Sequence, residues 1–187
     1  MLKKVLLTAV VLGLASTATQ AESVSGYVAG SVGQTDSKDF NTNKKFGHKV
    51  IVGLQANQYV ALEAQYTDLG KPNDKGYVVD NFGSLYDAKL TAQTRGLGAN
   101  IVGTVPLDNF KLFAKAGYHK METKVKVKAA GLGSLSGKDR EWVPSMGIGA
   151  GYAMTPELDV IAEYERYKDV ADDYNVDFAS VGLRYKF

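Results

Sequence analysis

Between Gly26 and Phe187 apolar and polar residues change places with a period of two, in one short stretch after another. Successive side chains along a strand point to opposite faces, so this period commits a chain to ribbons with one apolar and one polar flank. The last stretch is the clearest. Ala179, Val181, Leu183, Tyr185 and Phe187 make one face, and Ser180, Gly182, Arg184 and Lys186 make the other.

Upstream the pattern repeats. Strand one is expected over about 26–35, with Val28, Gly30 and Val32 opposite Tyr27, Ala29, Ser31 and Gly33. Strand two covers about 48–56, with Val50, Val52 and Leu54 on its apolar face. Strand three covers 59–69, with Val60, Leu62, Ala64 and Tyr66 opposite Ala61, Glu63, Gln65 and Thr67. Strand four covers about 90–105, with Leu97, Ala99 and Ile101 opposite Gly98 and Asn100. Strand five begins near Phe110 and sets Leu112, Ala114, Ala116 and Tyr118 against Phe113, Lys115, Gly117 and His119. Strand six begins near Trp142 and sets Met146, Ile148, Ala150 and Tyr152 against Gly147, Gly149 and Gly151. In strand seven Val160, Ala162 and Tyr164 oppose Ile161, Glu163 and Glu165. Strand eight ends at Phe187.

The connections alternate too. Short turns fall near Asn57, Asp108 and Pro156, and longer polar loops are expected over 36–46, 68–89, 124–141 and 169–175. Short turns at one end and long loops at the other are how a membrane-spanning barrel is built.

The start of the chain stands apart. Lys3 and Lys4 precede a mostly apolar run, Val5 to Ala15, and small residues lead to Thr19-Gln20-Ala21. That order reads as a secretory signal peptide over 1–21, cleaved after Ala21, leaving a barrel domain over 22–187. Cleavage takes the basic count from 22 to 20, against 20 acidic residues, so the mature chain is neutral. A neutral chain gives no support to a nucleic-acid partner. With Cys 0, disulfides, thiol chemistry and cysteine metal sites are excluded. No later segment is apolar for long enough to make a transmembrane helix.

Alternation by itself does not say which flank faces inward. The polar flanks carry Glu63, Gln65, Lys115, Glu163, Arg184 and Lys186, together with Gly147, Gly149 and Gly151. Glycines on that flank suit a narrow, crowded interior better than a solvated exterior. Tyr66, Tyr118, Tyr152, Tyr164, Tyr185 and Phe187 lie in phase with the aliphatic flanks near strand ends, as interfacial aromatic girdles do. Hydrocarbon offers no hydrogen-bond partners, so a spanning sheet must close on itself. Eight strands of roughly 9–11 residues suffice. The fold expected is all-β, an eight-stranded antiparallel up-and-down transmembrane β-barrel, exported to the bacterial outer membrane. A lipocalin-like soluble barrel is the competing reading.

Several segments carry a family resemblance: Asn57-Gln58-Tyr59-Val60 with Glu63, Tyr66 and Leu69-Gly70; Tyr152-Ala153-Met154-Thr155-Pro156-Glu157-Leu158; Glu163-Tyr164; and Val181-Gly182-Leu183-Arg184-Tyr185-Lys186-Phe187. In order and spacing, over nearly the whole mature chain, they resemble the transmembrane domain of the OmpA family. The resemblance implies membrane lipids, lipopolysaccharide and the barrel-assembly machinery as partners, and a terminal aromatic strand, Tyr185 and Phe187, read as an assembly signal. The peptidoglycan-binding domain of larger members is expected to be absent. The family also implies an interior ion-pair cluster that plugs the lumen. Glu63 matches one of its members, whereas the other charged positions fall on Val102, Gly151 and Ile161, which cannot pair. A substitute is expected in which Glu63 and Glu163 pair with Arg184, Lys115 or Lys186, because an unpartnered buried carboxylate would be costly. The alternative is that these groups line a wet lumen.

Little points to chemistry. His48 and His119 are the only side chains of near-neutral pKa, with no serine or carboxylate beside them at a recognisable spacing. No enzyme activity, cofactor or metal is expected. Asp36, Asp39, Asp172 and Asp173 lack an EF-hand spacing, and Gly147–Gly151 lacks the strand–helix context of a phosphate cradle. Lys124, Lys126 and Lys128 alternate with Val125 and Val127, as in a strand rising above the membrane, and are candidates for lipopolysaccharide phosphates. The leading function is a structural barrel that passes small solutes weakly, since eight strands leave an interior about filled by side chains. The runner-up is a surface adhesin or receptor like the OmpX and Ail barrels, binding a host or matrix ligand through its loops.

Overall fold

The computed structural model describes residues 25–37, 45–70, 73–79, 85–129, 133–170 and 174–187. The expected signal peptide, 1–21, lies outside these residues, as do Asp39, Asp172 and Asp173. The strands are β1 (Ser25–Ser37), β2 (Lys45–Gln55), β3 (Val60–Asp68), β4 (Asn73–Val79), β5 (Leu85–Leu107), β6 (Phe110–Ala129), β7 (Gly133–Ala153), β8 (Leu158–Val170) and β9 (Tyr174–Lys186).

Eight of them form a closed antiparallel ring. β1 pairs with β9 from Tyr27↔Lys186 to Ser37↔Val176, and β3 pairs with β5 from Val60↔Gly103 to Asp68↔Arg95. These two ladders join the ends of what would otherwise be an open sheet, so no unpaired edge is left for lipid to meet. β4 stands outside the ring. Among the described residues it pairs only with the first part of β5, from Asn73↔Thr91 to Val79↔Leu85.

The turns follow from local chemistry. Asn57 Oδ1 accepts hydrogen bonds from the backbone N–H of Tyr59 at 2.8 Å and Val60 at 2.9 Å. Thr155 Oγ1 does the same for Glu157 at 3.3 Å and Leu158 at 3.0 Å. Both are side-chain mimics of a backbone turn. Asp108, at φ 52°, supplies the left-handed residue that a two-residue hairpin between Leu107 and Phe110 needs.

Two expected loops prove to be largely strand. The stretch 68–89 contains β4 and the start of β5, and 124–141 is a continuation of the β6–β7 ladder from Lys124↔Lys138 to Ala129↔Gly133. Polar residues there hid the pairing, but a ladder satisfies backbone groups whatever its side chains are. At 23, 20 and 21 residues, β5, β6 and β7 are about twice as long as a bilayer requires. Their surplus rises beyond the loop end of the barrel.

The faces are inside out relative to a soluble barrel. Ile148 is 66% exposed and Val181 58%, whereas Glu165 and Gln65 are fully buried. Water would not tolerate that band of aliphatic exterior, and hydrocarbon requires it. Inside, two apolar layers fill the barrel. Tyr27, Ala29, Ile51, Ala61, Val102, Phe113 and Ile161 lie toward the short-turn end. Leu69, Met121, Val143, Tyr167, Val170, Val176 and Phe178 lie toward the loop end. Inward glycines make room for the bulky members. A Cβ on Gly53 would strike the Tyr27 ring, and one on Gly149 would strike the Phe113 ring.

Candidate functional site

Between the two apolar layers lies a band of charge. Lys49 Nζ is 2.5 Å from Glu163 Oε1 and 3.3 Å from Glu165 Oε2. Lys115 Nζ is 2.5 Å from the same Glu163 oxygen, 3.2 Å from Glu165 and 3.9 Å from Glu63. Glu63 lies 3.7 Å from Arg184 and accepts a hydrogen bond from the Tyr27 hydroxyl at 2.7 Å. The Arg184 guanidinium stacks over the rings of Tyr27 and Phe113, with 4.7 and 5.2 Å to their centroids. Three cations thus meet three carboxylates, and the Lys49, Lys115 and Glu165 side chains are fully buried. Burying any one of these charges alone would be prohibitive, so the set is held as a balanced whole.

Neutral groups extend the network around the wall. The Gln65 amide donates to Thr67, Glu165 and Tyr167 and accepts from Lys115 Nζ at 2.6 Å. Asn100 donates to Gln65 at 3.2 Å and meets His119 Nε2 at 3.0 Å. Side chains of β1, β2, β3, β5, β6, β8 and β9 are therefore joined across the lumen.

The sequence-derived residues divide as follows. Glu63, Lys115, Glu163 and Arg184 come together in this band. Lys186 does not reach Glu63 or Glu163. It pairs with Asp159 at 3.0 Å, beside Lys111 at 2.9 Å, because it lies two residues nearer the short-turn rim than Arg184. Lys49 and Glu165 are central, though sequence reasoning gave neither a site role. Both sit in the inward phase of their strands, Lys49 between Val50 and His48 of the outward phase, so a charge on that flank was the available signal.

His119 also differs from expectation. The fold brings Glu165 Oε1 within 3.8 Å of its Nε2, and Ser145 Oγ within 3.4 Å of the Asn100 oxygen that His119 bonds. No sequence spacing links these four residues. All are sealed in the lumen wall, with His119 and Glu165 at 0% exposure, which leaves no approach for a substrate. Among the described residues no group of three or more His, Cys, Asp or Glu could hold a metal ion.

At the seam Phe187 exchanges backbone hydrogen bonds with Gly26, at 2.9 and 3.0 Å, and its ring occupies the space a Gly26 side chain would need. Tyr185 and Phe187 both face outward.

A second charged cluster lies on the outer wall. Glu122 on β6 holds Lys124 at 3.1 Å, Lys138 at 2.9 Å and Arg140 at 2.7 Å. Hydrogen bonds from Lys138, Arg140 and Lys124 stabilise its carboxylate and hold its pKa down to about 2. The side chains of Lys126 and Lys128 lie outside the described residues.

The chain matches the family model described as "Outer membrane protein beta-barrel domain" over residues 6–187. It is 27% identical to outer membrane protein A of Shigella flexneri over 149 residues, 76% of this chain and 40% of that one, so it spans well under half of that relative's length. Its fold is similar to that of Neisserial surface protein A (NspA), with TM-score 0.61 at 20% identity, covering 89% of this chain and 100% of that chain. It is similar also to Ail of Yersinia pestis in complex with the heparin analogue sucrose octasulfate, with TM-score 0.59 at 16% identity, covering 88% and 97%.

Proposed function

Since the chain belongs to the outer membrane protein β-barrel domain family and is an integral outer-membrane barrel, we propose that it serves as a structural, normally closed barrel that passes small solutes only weakly and catalyses no reaction. One observation carries this reading: the balanced band of Lys49, Lys115, Glu163 and Glu165 is buried in the interior between two clusters of buried apolar side chains. An ion entering would have to shed its hydration in the apolar layers and then break charge-assisted bonds in the middle.

Export through a cleaved signal over 1–21, and assembly through recognition of Tyr185 and Phe187 by the barrel-assembly machinery, belong to the same proposal. N-terminal sequencing of the protein recovered from outer membranes tests the first. Replacing Phe187 and measuring the yield of folded barrel tests the second.

Single-channel recording in a planar bilayer tests closure. The wild-type chain should show small, rare openings, and Glu63→Ala and Glu163→Ala should open more often by unbalancing the band. A large steady conductance in wild type, or variants that behave identically to it, would refute the reading.

A second reading, as a surface adhesin or receptor acting through the outer loops, is favoured by the surplus length of β5, β6 and β7, which lifts polar ribbon clear of the membrane. The similarity to Ail, seen with a heparin analogue, supports the same reading. Deleting the tip of the β6–β7 hairpin should abolish binding to host matrix while leaving the barrel folded. Unchanged binding, or none by the intact chain, would remove it.

A further inference from the structure

The short-turn end of the lumen opens on a charged triad that the central band does not use. Lys111 Nζ lies 2.9 Å from Asp159 Oδ2, and Lys186 Nζ lies 3.0 Å from Asp159 Oδ1. The three residues stand in the inward phase of β6, β8 and β9. Strand register brings them together. Asp159 is the ladder partner of Arg184, and Lys186 is the next inward position after Arg184 on β9. Lys111 pairs with Gly151 on β7, two residues before Ala153, which is the partner of Asp159.

The triad forms a cup with an apolar floor. The next inward-facing residues are Phe113 after Lys111 and Ile161 after Asp159, with Tyr27 as the ladder partner of Lys186. These bulky side chains separate the cup from the central band. There is room in the wall beside Lys111, because a Cβ on Gly151 would come no nearer than 3.6 Å to Ile161 and 3.9 Å to Lys111, which is ordinary contact. The Asp159 side chain is 1% exposed, whereas those of Lys111 and Lys186 are 23% and 21% exposed. Solvent therefore reaches the triad from its cationic side.

Two ammonium groups share one carboxylate, so the triad carries one uncompensated positive charge. Lys111 and Lys186 are close enough to repel each other. Arg184, the next cation inward, is matched by Glu63 in the central band. Asp108 and Glu157 lie in exposed turns outside the cup, and the Glu157 carboxylate already accepts from Thr155 Oγ1 at 3.1 Å. Each ammonium has three N–H donors and gives one to Asp159, which leaves two apiece. Half-dry surroundings make contacts to those donors stronger than they would be in open water.

We infer that the short-turn mouth of the lumen, built from Lys111, Asp159 and Lys186, binds one small singly charged oxyanion, either a carboxylate or a monovalent phosphate. Its oxygens bridge the two ammonium groups on the side away from Asp159. One negative charge makes the cup neutral, and two would overshoot, so the site selects a monoanion. Two separated donors favour a group with two oxygens over a single halide ion. Short turns of an outer-membrane barrel face the periplasm, so the ligand arrives from that side. The assignment does not depend on whether the lumen conducts, because the apolar floor lies between the cup and the band.

The test is nuclear magnetic resonance of the isotope-labelled chain in a maltoside detergent. The amide signals of Lys111, Asp159 and Lys186 are followed while sodium acetate, sodium phosphate at mildly acid pH, or sodium chloride is added. Saturable shifts are expected with acetate or phosphate, about fivefold tighter than with chloride, and the tighter of the two identifies the group recognised. Lys111→Gln keeps Asp159 paired with Lys186 and should weaken binding roughly tenfold. Lys111→Gln/Lys186→Gln should abolish saturation, and the single variant decides the matter if the double one fails to fold. Asp159→Asn frees both ammonium groups and should tighten binding about tenfold, which a triad with a purely structural role would not do. Lys45→Gln, at the far end of the barrel on β2, should change nothing. Equal affinity for chloride, shifts that never saturate, unaltered binding in Lys111→Gln, or a folded Asp159→Asn that binds no tighter would each overturn the assignment. A leaky wild-type channel in bilayer recordings would refute the closed-lumen reading and leave these titrations untouched.

Discussion

Replacing Lys115 by Met removes one charge from the middle of the lumen while nearly keeping the side chain's length. In the structure Lys115 Nζ touches Glu163, Glu165 and Glu63 at 2.5, 3.2 and 3.9 Å, and Gln65 at 2.6 Å, with no exposure to solvent. After the change two cations, Lys49 and Arg184, face three carboxylates, and one buried negative charge has no counterpart. Removing one partner of a buried pair costs about 3–5 kcal/mol, and the unbranched Met fills most of the vacated space, so overpacking and cavity effects stay below about 1.5 kcal/mol. The prediction for Lys115→Met is a loss of about 3–5 kcal/mol, read from reversible urea unfolding of the chain in lipid vesicles. The diagnostic variant is Lys115→Met/Glu165→Gln, which restores the balance. It should be more stable than Lys115→Met alone, with a coupling energy of about 1–3 kcal/mol. If the two changes simply add, or if the single change costs under about 1 kcal/mol, the interior is wet enough to screen charge and the reasoning is wrong.

Three further predictions bear on other parts of the molecule. Ile148→Arg places a charge on the lipid-facing flank of β7 and should cost about 2–4 kcal/mol in the same assay; a negligible cost would mean that this flank does not meet hydrocarbon. Gly53→Ala sets a methyl against the Tyr27 ring and should destabilise by about 1–3 kcal/mol, whereas Gly30→Ala, with nothing within 4 Å of its new methyl, should stay within about 0.5 kcal/mol; the reverse order would contradict the packing described. Because Glu122 has its pKa lowered from 4.5 to about 2 in the folded chain, its contribution to stability is present above pH 4.5 and is lost as pH falls through 2. The gap in unfolding midpoint between wild type and Glu122→Gln should therefore be full at pH 7 and close by pH 2, and a gap independent of pH would show that the Lys138, Arg140 and Lys124 contacts do not stabilise the carboxylate.

The strands and their faces were legible in the sequence because alternation is a property of each strand separately. That Val181 and Arg184 lie on opposite flanks follows from counting along β9, with no knowledge of any neighbour. Asn57 and Thr155 likewise marked turns through hydrogen bonds to residues two or three positions on. The alternation of Lys124, Lys126 and Lys128 with Val125 and Val127 marked a strand rising above the membrane, but its partner at 133–138 carries no such pattern, and β4 shows itself only through its ladder to β5.

The candidate site was legible only as a set of inward charges. Which of them meet depends on the stagger of strands around the ring, and that stagger is fixed by ladders between residues far apart in the chain. Lys49 and Glu163, 114 positions apart, face each other across the lumen, while Lys186, two residues from Arg184, is left at the rim with Asp159. His119 gained a carboxylate neighbour for the same reason.

The sequence by itself determined that this chain folds into ribbons with one aliphatic and one polar flank, because a period of two in side-chain character is local to each strand, and the glycines and in-phase aromatics favoured a closed barrel with the aliphatic flank outward. Only the tertiary structure decided how the interior charges are partnered and that Arg95, Glu122, Arg140 and Lys138 share one patch of wall. Such contacts depend on the register between strands, which no single strand encodes.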